Sequence, residues 1–179
     1  KRIISWISNS KLTYEDSNEN YKRKFNYIIQ KQTNHLINEI ERSENLDDKI
    51  IGCSAIILVG LSYHDKSKYL EFGLNFLKKI AKYSLDASGF PKSRNIKQLS
   101  FYYKYFVLIR EWIKDSQNDV PEYIDETIYN FGNAYTLVCQ NLKKSILFNG
   151  NHEVDNSNFD NYLSKFGYKF KNTNQEIGG

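Results

Sequence analysis

This chain of 179 residues contains no methionine, two prolines, two cysteines and nine glycines. A β sandwich needs turn residues about every ten positions, so the shortage of proline and glycine favours long helices. Two cysteines do not form a disulfide framework, and Cys53, in the most apolar segment, is expected to be a buried free thiol. Because methionine is missing even at position 1, we expect the chain to be a piece of a longer protein.

The sequence also lacks an apolar run long enough to cross a bilayer. Its longest, IIGCSAIILVGL from Ile50 to Leu61, is clearly shorter than the roughly 20 residues that a transmembrane helix needs. We therefore expect no membrane span, and a core helix at this position. The net charge of +4, with acids and bases interleaved, is typical of a solvated helical surface. That charge does not predict nucleic-acid binding, and it suits an acidic glycan equally well.

Apolar periodicity predicts an all-α fold in which consecutive helices form antiparallel hairpins. Arg2–Ser8 is expected to be a short turn or helix. We expect Asp47 and Asp48 to cap the apolar helix, and Pro121 to lie in the first turn of a later one. The remaining predicted helices cover residues 18–44, 47–63, 67–85, 96–114, 121–141 and 158–166.

Standard catalytic and phosphate-binding motifs are absent from the sequence. The three histidines, His35, His64 and His152, are far apart and lack the spacing of metal ligands. The sequence therefore predicts neither a metal site nor a cofactor.

Three groups of polar residues have two interpretations each. Asn34 and His35, side by side in a helix, are either a functional pair or part of a solvated face. The helical spacing of Tyr102 and Tyr103 favours core residues, with a sugar-binding platform as the alternative. Arg110 lies near an apolar stripe, where an arginine usually extends to solvent or pairs with an acid; lining a cleft for an anion is the alternative.

Several short motifs occur in an order that resembles the N-terminal helical domain of the heparinase II/III family of polysaccharide lyases. A bacterial branch of that family is the most similar, through a turn that reads G-x-x-x-S/T-R-N/S. The resemblance covers nearly the whole chain. It is carried by TNHLINE (33–39), AIILVGL (55–61), the turn DASGFPKSRN (86–95) with Gly89, Ser93, Arg94 and Asn95, and FNG (148–150).

The resemblance implies a domain organisation and a location. Residues 1–147 would form a helical domain that is part of an α/α toroid. Residues 148–179 would be an Asn-rich linker with a short helix, leading towards a β domain beyond this chain. The family resemblance also suggests the periplasm or the cell envelope.

The resemblance further implies β-elimination at a uronic acid, with Asn34 contacting the carboxylate. Gln98 occupies the position where the family has a tyrosine, and glutamine cannot exchange a proton at useful pH. Tyr102, one turn further along, substitutes as the catalytic acid, or the branch uses different chemistry, or it only binds glycan. We predict that the substrate-binding residues are His35, Arg94, Arg110 and Tyr103.

The expected partners are an acidic polysaccharide and the downstream β domain of the same protein. Whether the full-length protein is an enzyme stays open, and we expect this segment alone to be inactive. The alternative function is a non-catalytic helical interaction or glycan-binding module, in which Asn34, His35 and Arg94 are cap, turn and surface groups.

Overall fold

The computed structural model describes residues 1–63, 67–140 and 157–168. Within these ranges the chain folds into helices and no β-strand, which confirms the all-α prediction. In the described part of the chain, no helix has both the length and the apolarity needed to cross a membrane. The helices are α1 (Arg2–Ser8), α2 (Ser10–Thr13), α3 (Glu19–Ile40), α4 (Leu46–Ser62), α5 (Ser67–Ser84), α6 (Ile96–Asp115), α7 (Glu122–Tyr135) and α8 (Ser157–Lys165).

Asparagine side chains begin the two long N-terminal helices. The Asn18 side chain accepts a hydrogen bond from the backbone N–H of Tyr21 at the start of α3. Asn45 caps α4, because its Oδ1 accepts from the backbone N–H of Asp47 at 2.9 Å. The prediction that Asp47 and Asp48 cap this helix is therefore wrong. They lie in its first turn, where their carboxylates interact favourably with the positive end of the helix dipole.

The boundaries of α7 differ slightly from those predicted. Pro121 has an extended backbone and is the residue before the helix rather than part of its first turn. The α-helix ends at Tyr135 and continues as a π-helical turn, Thr136–Gln140. Helical backbone thus reaches almost to the predicted end at residue 141.

The described chain divides into two compact units that alternate along the sequence. The first contains Lys1–Ile80 and Leu108–Val120; the second contains Ala81–Val107 and the described residues from Pro121 onward. The predicted boundary between residues 147 and 148 lies outside the described residues, as do the FNG motif and the last eleven residues. The α/α toroid stays a prediction.

The core of the first unit is centred on α4. Every residue of α4 from Ile50 to Gly60 is buried, and the helix packs against α1 and α3. Two glycines allow α5 to approach it closely. A Cβ on Gly73 would lie 2.6 Å from Ile57 Cγ1, and a Cβ on Gly60 would collide with the backbone nitrogen of Leu70. The apolar helix is therefore enclosed, as its composition predicted.

The core of the second unit is aromatic. The Tyr103 ring centroid lies 5.8 Å from that of Phe131 and 5.6 Å from that of Phe159. The Tyr135 hydroxyl donates to Asp160 Oδ1 at 2.9 Å, which links α7 to α8. The short helix expected near residues 158–166 thus docks on the aromatic core of its own unit.

Candidate functional site

Asn34 is an exposed residue of α3 whose amide is held by a buried tyrosine. The Tyr69 hydroxyl on α5 donates a hydrogen bond to Asn34 Oδ1 at 2.6 Å, and Tyr69 is only 2% exposed. An asparagine amide has one acceptor oxygen and two N–H donors. Because the oxygen is engaged by Tyr69, the two donors of Nδ2 are the groups that this side chain offers to a ligand.

His35 lies at a separate opening, a cavity of about 700 Å³ between α1, α3 and α4. Successive helix residues point about 100° apart, so His35 turns away from the Tyr69 side of α3. The cavity has an apolar floor and a rim of both charges. Its lining includes Arg2, Ile3, Gln32, His35, Leu36, Glu39, Asp48, Ile51, Gly52 and Ala55.

Arg94 stabilises the turn between α5 and α6. Its Nη1 lies 2.7 Å from Asp86 Oδ2, and its guanidinium stacks 5.5 Å from the centre of the Phe90 ring. The same Asp86 carboxylate accepts the backbone N–H groups of Ser88 and Phe90, each at 2.9 Å. Arg94 also has a φ of 57°, in the left-handed region. The arginine therefore has an intramolecular role in holding this turn.

Gln98 lies at the start of α6. It occupies the position where the family that the motifs resemble has a tyrosine. Asn95 caps that helix, accepting the backbone N–H of Lys97 at 2.9 Å and that of Gln98 at 3.3 Å. The Ser93 hydroxyl donates to Gln98 Oε1. Ser93 and Asn95 of the S-R-N segment thus contribute to the cap of α6. This role gives a structural reason for the presence of those two residue types in the turn.

Tyr102, predicted as the catalytic acid, and Tyr103, predicted to bind substrate, are core residues here. Tyr102 and Tyr103 are both 0% exposed, so neither is accessible to a polysaccharide in this structure. Burial, together with nearby Tyr168, raises the pKa of Tyr103 far above its ordinary value. Arg110 is a quarter exposed and pairs with Glu111 Oε1 at 3.1 Å. The packing therefore supports the structural interpretation of all three residues: Tyr102 and Tyr103 belong to the core, and Arg110 pairs with an acid.

The predicted site residues fall in both units. Asn34, His35 and Arg110 belong to the first, whereas Arg94, Tyr102 and Tyr103 belong to the second. Tyr69 was not predictable from the sequence, because its hydrogen bond to Asn34 joins residues 35 positions apart. No local signal in either helix marks that pair.

Within the described residues, no three His, Cys, Asp or Glu side chains come together as possible metal ligands. No protein-family model, curated protein or solved structure matches the chain.

Proposed function

We propose that this chain is the helical, polysaccharide-binding part of a heparinase II/III-like protein, and that it binds uronic acid units through Asn34. The hydrogen bond between Tyr69 and Asn34 is the observation that supports this proposal most directly. Asn34 is the motif residue that we expect to contact the carboxylate, and this bond fixes its amide through Tyr69.

A carboxylate only accepts hydrogen bonds, so its partner must present donors. A freely rotating amide would present its own oxygen to the carboxylate part of the time. By engaging Asn34 Oδ1, the Tyr69 hydroxyl favours the rotamer in which Nδ2 faces a ligand. Hydrogen bonds to charged groups contribute about 1.5–3 kcal/mol, and we expect the lower end because Asn34 is exposed.

The proposal assigns binding, and not cleavage, to this chain. β-Elimination needs a base at C5 of the uronic acid and an acid at the departing glycosidic oxygen. Tyr102 is enclosed in the core, and the Gln98 amide cannot transfer a proton. In the family that the motifs resemble, part of the proton-transfer machinery comes from a following β domain, and we propose the same for the full-length protein.

Titration calorimetry with oligosaccharides of alginate, heparan and chondroitin tests the proposal, with carboxyl-reduced oligosaccharides as the comparison that lacks the carboxylates. Asn34→Ala should weaken binding of the acidic ligands about tenfold, the equivalent of roughly 1.4 kcal/mol. Asn38→Ala is the matched control, since Asn38 is also exposed on α3, one turn later. Absence of binding to every acidic oligosaccharide, or equal effects of the two substitutions, would contradict the proposal.

A second candidate function is a protein-interaction module. It is favoured by two exposed apolar side chains of the first unit, Leu12 at 83% and Tyr27 at 64% exposure. If these residues form an interface between copies of the chain, Leu12→Ser should reduce self-association measured by light scattering. Its effect on glycan binding separates the two functions, because the polysaccharide proposal does not use Leu12.

A further inference from the structure

A second cavity in the first unit has no role in the proposed contact with Asn34. It has a volume of about 330 Å³, within the range of small-ligand sites, and lies between α1, α2 and α3. Its lining consists of Trp6, Thr13, Tyr21, Lys24, Phe25 and Ile28. Aromatic and aliphatic groups dominate, with one ammonium at the edge.

The aromatic rings of this cavity form a connected group around Phe25. The Phe25 centroid lies 6.1 Å from that of Trp6 and 6.2 Å from that of Tyr21, whose ring stacks at an interplanar angle of 28°. Tyr21 is 43% exposed, so a ligand can reach its ring. Aromatic faces carry negative partial charge and attract the weakly positive C–H groups of a ring that lies against them.

Lys24 supplies a cation that no carboxylate of the described residues neutralises. Within the described residues Lys24 makes no ion pair, whereas the side chains of the two residues before it have intramolecular partners. Lys22 lies 3.5 Å from Glu19 Oε1, and Arg23 donates to Asn20 Oδ1 at 2.9 Å. The ammonium of Lys24 is therefore available to an external anion at the edge of the aromatic cavity.

We propose that this cavity binds one uronic acid ring of the polysaccharide, with its apolar face against Trp6 and Tyr21 and its carboxylate paired with Lys24. The proposal rests on the polysaccharide-binding function proposed above and adds a second subsite to it. A ligand with both a flat C–H face and a carboxylate uses all features of the cavity. An apolar side chain of a partner protein would use the aromatic rings and leave Lys24 without a role.

The position of the cavity suits a linear ligand. Lys24 and His35 are eleven residues apart, three turns of α3, so they share one side of the helix about 16 Å from each other. α1 contributes Ile3 to the cavity at His35 and Trp6 to the aromatic cavity. A polysaccharide lying along α1 and α3 can therefore contact both openings.

Tryptophan fluorescence tests this subsite directly, because the chain has only two tryptophans. Trp112→Phe leaves Trp6 as the single reporter, and circular dichroism checks that the variant is folded. With a uronic acid tetrasaccharide as the probe, we expect a saturable change in Trp6 emission. Lys24→Gln should raise the Kd about two- to fivefold, the scale of an exposed ion pair. Lys79→Gln, at an exposed lysine of α5 that lines neither cavity, should not.

The possible results separate this inference from the proposed function. If calorimetry shows binding that depends on Asn34, while Trp6 emission stays constant and the two lysine substitutions act alike, the subsite is overturned and the function stands. Equal emission changes with the carboxyl-reduced tetrasaccharide would overturn the pairing of a carboxylate with Lys24. If neither probe binds by calorimetry, the polysaccharide function itself fails, and this subsite fails with it.

Discussion

The hydroxyl of Tyr69 and the amide of Asn34 are joined by a hydrogen bond of 2.6 Å across α5 and α3. The tyrosine is buried and the asparagine is exposed, so the bond fixes a surface group from the core side. The orientation of the Asn34 amide is thus determined by tertiary packing in addition to its position on α3. This relationship makes the positioning of the amide testable without changing Asn34 itself.

Tyr69→Phe removes the hydroxyl and keeps the buried ring. We expect a loss of about 0.5–1.5 kcal/mol in the free energy of unfolding, measured by urea denaturation. Binding of acidic oligosaccharides should also weaken, but less than in Asn34→Ala, because the amide remains and only its orientation is released. Tyr27→Phe is the control, since Tyr27 is 64% exposed. Unchanged glycan affinity in Tyr69→Phe would remove the positioning role of this tyrosine.

Residues 1–179 alone should not cleave acidic polysaccharides. The measurement is the ultraviolet absorbance of the unsaturated uronate product with heparan, alginate and chondroitin. We expect no product because Tyr102 is fully buried and Gln98 takes part in the cap of α6. If turnover does occur, Tyr102→Phe identifies the acid: loss of activity in a folded variant would restore the catalytic role implied by the family resemblance.

Leu58→Ala should lower the free energy of unfolding by about 2–5 kcal/mol, because it leaves a cavity in the enclosed helix α4. Leu58 is 7% exposed, whereas Leu12 is 83% exposed and provides the matched control. Leu12→Ala should change stability by less than about 0.5 kcal/mol. Denaturation curves of the two variants give the comparison. Similar stabilities would show that α4 is peripheral.

The fold was predictable where apolar periodicity is long and unambiguous. The continuous apolar run of α4 indicated an enclosed helix, and its residues from Ile50 to Gly60 are all buried. Its cap was harder to assign, because Asn45, Asp47 and Asp48 are all residue types that cap helices. Only the backbone decides between them, and Asn45 alone has the extended conformation of the cap residue.

The candidate site was less predictable, since its parts meet only in the folded chain. The order of the motifs singles out Asn34, but its partner Tyr69 lies on another helix. The aromatic cavity likewise combines Trp6 of α1 with Lys24 and Phe25 of α3. Helical periodicity reports which face of one helix is apolar, and it carries no information about which faces of different helices meet.

Arg94 allows a prediction about the turn between α5 and α6. Arg94→Ala loses the partly exposed ion pair with Asp86, which contributes about 0.2–1 kcal/mol. It keeps the strained positive φ. Arg94→Gly loses the same ion pair but relieves the strain, although glycine adds entropy to the unfolded chain. We expect the glycine variant to be about 0.5–1 kcal/mol more stable than the alanine variant. Thermal melts of both decide this, and equal stabilities would contradict it.

An asparagine on α3 also links two tyrosines of the first unit. Asn26 Nδ2 donates to the Tyr14 hydroxyl oxygen at 3.0 Å, and the Tyr63 hydroxyl donates to Asn26 Oδ1 at 2.9 Å. Burial, and to a lesser extent the proximity of Tyr14, raises the pKa of Tyr63 from 10.0 to about 12. The end of α4 is thereby connected to α3 through a hydroxyl that must keep its proton.

This raised pKa predicts a loss of stability at alkaline pH. Between pH 10 and about 12 the unfolded chain releases the Tyr63 proton while the folded chain retains it, so the free energy of unfolding falls as pH rises. Below pH 10 both states are protonated and this contribution is constant. Tyr63→Phe lacks the titrating group, so the stability of the natural chain relative to this variant should decrease across that window. Urea denaturation of both proteins at a series of pH values measures the difference. A difference that stays constant from pH 9 to 12 would show that Tyr63 does not titrate differently in the folded and unfolded chain.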